Sequence, residues 1–168
     1  MKKPLLYGAL VLLLVPVQTT LLPHVAIWGI KPDLGLVVAA LTGVLGGELA
    51  GLMVGMAIGW ILSLYSAGDL WLNLVTTAGA GLFAALLAKQ IAEITPTILS
   101  VGLVLLSLAS GVVAVLTMKQ ATMADTWWMV QFVLLPQAAF DAVVGAGLLW
   151  VIEQRFALPR FGALNRYT

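Results

Sequence analysis

Asp141 has the clearest capacity for chemistry in this sequence. It lies within the apolar run 127–152, one helical turn after Pro136-Gln137. An ionised carboxylate at mid-bilayer depth costs at least about 2.5 kcal/mol on insertion scales, so it must face the protein interior and find a donor, or stay protonated. Its candidate partners are Gln18, Asn73 and the backbone freed by Pro136. Gln18-Thr19-Thr20 ends the first apolar run and Asn73 stands near the start of the fourth. Gln18, Asn73 and Asp141 therefore form a candidate polar cavity facing outward. Two roles fit the trio, a polar clasp between helices or a proton or ligand site.

Bond-making chemistry finds little support. His24 is the single histidine and there is no cysteine, so neither a histidine-bearing metal cluster nor a thiolate site can be assembled. Ser63, Ser66, Ser100, Ser107 and Ser110 lack a nearby base and sit in no nucleophile motif. The carboxylates are not paired by helical spacing for acid and base work. No catalytic residue, metal or cofactor is expected, and the protein reads as a non-enzyme.

The elements that must hold these residues are membrane spans. Of 168 residues, 62% are hydrophobic and 9% charged, and the mean hydropathy is +1.10, outside the range of a soluble domain. Apolar runs with short polar punctuation predict one all-α, polytopic transmembrane domain over residues 1–168. Its six spans fall at about 4–22, 33–46, 48–66, 70–88, 97–118 and 127–152. An unbroken helix over 33–66 would be about 50 Å long against a hydrocarbon core of about 30 Å, so it must break, and Gly46-Gly47-Glu48 is the obvious place. Lys2 and Lys3 ahead of an apolar run imitate a signal peptide, but the run continues to Leu22 without a small-x-small cleavage site, so the first helix is expected to be retained.

Charge sets the expected orientation. Six crossings with the N-terminus inside put Lys2, Lys3, Lys89, Arg155, Arg160 and Arg166 on the cytoplasmic side and only Lys31 and Lys119 outside. A re-entrant 33–46 segment would reverse that bias, against the positive-inside rule. Both termini are therefore expected in the cytoplasm. Trp71 and Trp127-Trp128 fall at outer boundaries, Trp150 at an inner one, and Trp28 in the outer loop beside His24. Arg155-Phe-Ala-Leu-Pro-Arg-Phe serves either as a plain positive-inside anchor or as a segment resting on an anionic leaflet. The net charge of +1 says nothing about nucleic acid, and no nucleic-acid partner is expected.

Gly43, Gly47, Gly51, Gly55 and Gly59 recur at strict four-residue intervals. On one helix, Gly47 to Gly59 would make a slowly winding furrow about 18 Å long. In lipid, helices associate through dispersion contacts, and small residues let two backbones approach closely. The entrant is either another helix of this chain or a partner's helix, including that of a second copy. Within the chain the sixth span offers a matching line at Ala138, Ala142 and Ala146, with Gly145 and Gly147 alongside.

The order of these features resembles the MreD family of rod-shape-determining membrane proteins. The likeness runs through Gln18-Thr19-Thr20 closing the first helix and Lys31-Pro32-Asp33-Leu34 opening the second. It continues through Gly46-Gly47-Glu48, Gly51-x-x-x-Gly55-x-x-x-Gly59, Ser66-Ala-Gly68, Leu72-Asn73-Leu74 and the late Leu135-Pro136. Many members carry an acid about one turn after the last glycine, where this chain has Ser63. The resemblance implies a non-enzymatic scaffold of the bacterial cell-elongation complex in the cytoplasmic (inner) membrane. Its partners would be an MreC-like bitopic protein, the RodA glycosyltransferase with its transpeptidase partner and, indirectly, the MreB filament, beside membrane lipid. The family is also similar to the substrate-binding S-components of energy-coupling-factor transporters. That likeness implies an S-component-like bundle and supplies an alternative, a vitamin-binding subunit with a pocket near the outer face.

Overall fold

The computed structural model describes residues 14, 16–21, 24, 30–65, 70–91, 95–117 and 123–156. Most of the first expected span, the loop around Trp28, the Ser66-Ala-Gly68 turn and the basic segment after residue 156 lie outside the described residues. What is described is almost entirely helical. The helices are α1 (Leu34–Gly46), α2 (Glu48–Tyr65), α3 (Leu70–Gln90), α4 (Pro96–Thr117), α5 (Met123–Met129) and α6 (Leu135–Phe156), with π turns at Val17–Leu21 and Val130–Leu134.

Among the described residues, four helical segments are long and apolar enough to cross a membrane: α2, α3, α4 and the continuous α5–α6 rod over Thr126–Ile152. The expected second span, 33–46, is a helix of 13 residues. At 1.5 Å per residue it is about 20 Å long, short of a core of about 30 Å.

Two local signals bound α1. Asp33 caps its start, the side chain accepting from the Leu36 N–H at 3.1 Å, which satisfies one of the donors a helix N-terminus leaves open. Gly47 ends it at φ 86° and ψ −179°, a backbone region essentially reserved for glycine. The Gly47 N–H donates to Gly43 O at 2.9 Å, and its own carbonyl accepts from the Gly51 N–H at 3.0 Å. One residue thus closes α1 and opens α2. The chain reverses there, because Gly35 lies beside Ile58 and Leu62 while Gly43 lies beside Gly51. Nothing stands within 4 Å of the place a Gly47 Cβ would occupy, so Gly47→Ala tests conformation alone. We expect it to cost about 1–3 kcal/mol, read as a lower SDS concentration at the unfolding midpoint; an unchanged midpoint would show that the turn tolerates a side chain.

The π turn before α6 also has a cause. In a regular helix the Pro136 ring would clash with the carbonyl four residues back. Here the Leu135 N–H reaches Val130 O, five residues back, and the widened turn makes room.

The helices pack as two groups. α1, α2 and α3 meet closely, and α4 packs along α6. Leu36, Val37, Ala40 and Leu41 of α1 share a buried cluster with Ala80 and Ala84 of α3, Leu99 and Leu103 of α4, and Leu149 of α6. The short helix is thus the centre of the bundle. Leu14 packs on the other side, with Val54 and Ile58 of α2.

Candidate functional site

Because α1 is short, its N-terminus stops about 20 Å from the Gly47 turn. At that level it meets the middle of α4 and the inner face of α6, where Ser107 and Asp141 lie. Asp141 is fully buried, at 0% exposure. Its Oδ1 accepts from the Asp33 backbone N–H at 2.6 Å, and its Oδ2 accepts from the Ser107 hydroxyl at 2.5 Å. The Asp33 carboxylate in turn accepts from Gln18 Nε2 at 3.3 Å, through the same Oδ1 that caps α1. Four segments are therefore joined in one line: Gln18, Asp33, Asp141, Ser107. Both carboxylates sit at the positive end of α1, where the macrodipole favours negative charge. The Gln18 Oε1 atom is buried and has no partner among the described residues.

This arrangement corrects the expected polar cavity. Among the described residues Asp141 is partnered by Asp33 and Ser107, not by Asn73 or the backbone at Pro136, and Gln18 is linked to it through Asp33. Asn73 sits elsewhere, between α2 and α3. Its Nδ2 donates to Ser63 Oγ at 3.3 Å, and Ser63 donates to Gly59 O at 2.6 Å. Thr77 Oγ1 lies 2.8 Å from Gly55 O and 2.6 Å from Asn73 O, so its single proton serves the neighbouring helix and its own. Asp33 and Ser107 were the residues that sequence reasoning left out of the site. Asp33 was legible as a helix opener after Lys31-Pro32, whereas Ser107 carried no distinguishing signal, being one serine in an apolar run.

The glycine line is filled from within the chain. A methyl at Gly51 would stand 2.5 Å from Gly81 O, and one at Gly55 would stand 2.5 Å from Thr77 O and 2.7 Å from Ala78 Cα. At Gly59 it would meet Thr77 Oγ1, Asn73 O and Leu74 Cα, and at Gly43 the carbonyl of Gly81. The entrant is α3, the fourth expected span, and not the sixth, whose helix α6 packs on α4 and α1. Gly47 does not belong to the furrow. It is the hairpin turn, and its place in the four-residue series reflects the turn joining two antiparallel helices that both present glycine to α3.

Two cavities among the described residues are apolar. One of about 320 Å³ lies between α1, α3 and α4, with Ala40, Val44, Ala84, Ala88, Gly102 and Leu106 among its walls. Another of about 280 Å³ is bounded by Met56, Ala57, Trp60, Ile61 and Leu74. Gln18, Asn73 and Asp141 border neither. The polar residues hold helices together, and the open spaces suit aliphatic groups. No family model, curated protein or solved structure matches this chain, so its function is read from this site.

Proposed function

We propose that this chain is a non-enzymatic membrane adaptor of the MreD type. In this reading it crosses the bacterial inner membrane six times with both termini in the cytoplasm, and it binds an MreC-like bitopic protein beside a RodA-like glycosyltransferase and its transpeptidase, with MreB engaged indirectly. One observation carries the choice over vitamin capture: Asp141, Ser107 and Thr77 spend their buried polar atoms on helix-to-helix bonds, and the two apolar cavities among the described residues are lined by none of them. A vitamin-binding pocket needs convergent polar groups lining its space. An adaptor needs a firmly packed body and outward apolar surface, such as Trp60, Met53, Phe83 and Leu105 supply. The partner surface lies on those outer faces, because the glycine line is occupied by α3.

The test is co-expression of the tagged chain with an MreC-like protein, with a photo-crosslinking residue placed in turn at Met53, Trp60, Phe83, Leu105 and Val143. We expect co-elution, with crosslinks confined to adjacent positions on one face. Failure to co-elute, together with a tightly held small molecule in native mass spectrometry, would move the assignment to ligand capture.

A further inference from the structure

The bundle is held together unevenly. Within α1–α3, backbones touch at Gly43, Gly51, Gly55, Gly59 and Gly81, where even a methyl would strike main-chain atoms. Within α4–α6, Ser107 bonds Asp141, and the sites of Gly111 and Gly145 are filled by Leu134 and Leu103. Between the two groups the connection runs along α1. It consists of the Asp33–Asp141 hydrogen bond at one level and the Val37–Gly145–Leu103 contact with the shared leucine cluster below it. Although α3 and α4 are consecutive in the chain, they leave the 320 Å³ crevice between them. Its walls include Ala84 and Ala88 on one side and Gly102 on the other, and a Cβ at Gly102 would meet nothing within 4 Å.

Close-packed bodies do not deform continuously, so motion is taken up where packing is incomplete. In a membrane no hydrophobic force closes such a crevice, since acyl chains and leucine side chains are equally apolar. Widening it breaks no hydrogen bond, because its walls are apolar. Parting the two groups at the Asp33 level is different, because it strands a buried donor and a carboxylate. The permitted movement is a rotation that keeps that level fixed.

We propose that the α4–α6 group pivots against the α1–α3 group about the Asp33–Asp141 contact, so that the α3–α4 crevice alternates between a narrower and a wider form. The chain contains no cysteine, so introduced pairs are the only labelling sites. Leu87→Cys with Ile98→Cys places spin labels on opposite walls of the crevice. Leu49→Cys with Phe83→Cys places them on exposed positions of α2 and α3, within one group. Pulsed electron paramagnetic resonance of the full chain in lipid nanodiscs is expected to give two resolved distances for the first pair and one narrow distance for the second. Gly102→Leu, which fills the crevice, is expected to leave only the wider distance in the first pair. A single narrow distance for both pairs, equal broadening of both, or any other response to Gly102→Leu overturns the pivot. The experiment contains no partner protein, so its failure leaves the adaptor reading intact.

Discussion

Gly55→Leu is expected to destabilise the protein by about 3 kcal/mol or more. The Cβ alone would sit 2.5 Å from Thr77 O and 2.7 Å from Ala78 Cα, and these are main-chain atoms that cannot rotate aside. Accommodating leucine means moving α3 away from α2, which also breaks the Thr77 hydrogen bond to Gly55 O. In a bilayer, close packing is itself a main source of helix attraction, so its loss is not offset by another force. The measurement is the SDS midpoint of unfolding, with Gly79→Leu as control. Gly79 lies on α3 with open space where its Cβ would stand; there we expect no loss, and a gain of up to about 1 kcal/mol from helix propensity. Equal effects at the two sites would refute the packing role of the glycine line. Loss of partner binding in Gly55→Leu would follow from the disturbed fold and would not map an interface.

Asp141→Leu is expected to cost about 2–6 kcal/mol, because it leaves the Asp33 N–H and the Ser107 hydroxyl buried without an acceptor, each worth about 1–3 kcal/mol. Asp141→Asn separates a clasp from a site of chemistry. An asparagine can accept from the Asp33 N–H through its oxygen, and its amide can donate to Ser107 Oγ once the hydroxyl rotates. Both bonds survive without a carboxylate. We expect Asp141→Asn to unfold within about 1 kcal/mol of the parent chain and, on the adaptor reading, to keep co-elution with the proposed partner. A folded Asp141→Asn protein that had lost function would show that the carboxylate does more than join helices.

The adaptor reading places these two features in complementary roles. The glycine furrow makes α1–α3 one tight group, and the Asp33–Asp141 contact ties the second group to it at the level where the short central helix begins. Each group keeps its own outer faces in a fixed relation, and the Asp33–Asp141 contact sets where the two groups meet. The same economy explains why the buried acid sits at 0% exposure with two donors rather than beside a cavity.

Composition and local patterning were enough to read a helical chain with segments apolar enough to cross a membrane, the break at Gly47 and the need for a partner at each small-residue face. Those follow from hydropathy, from the length of a helix against a bilayer and from backbone conformation, all of which act within a few residues. The buried position of Asp141 was legible for the same reason, since a charge in an apolar run has few tolerable surroundings. Which groups would satisfy it was not. Asp33 is 108 residues away in the chain and Ser107 is 34, and only the short length of α1 brings all three to one level. The entrant to the glycine line was not legible either: the sixth span was the matching line read from the sequence, although Thr77, Ala78 and Gly81 of α3 are also small. Tertiary structure decided for α3: the Gly47 hairpin sets Gly43 beside Gly51, and only a helix running along both could bring Gly81 against the pair.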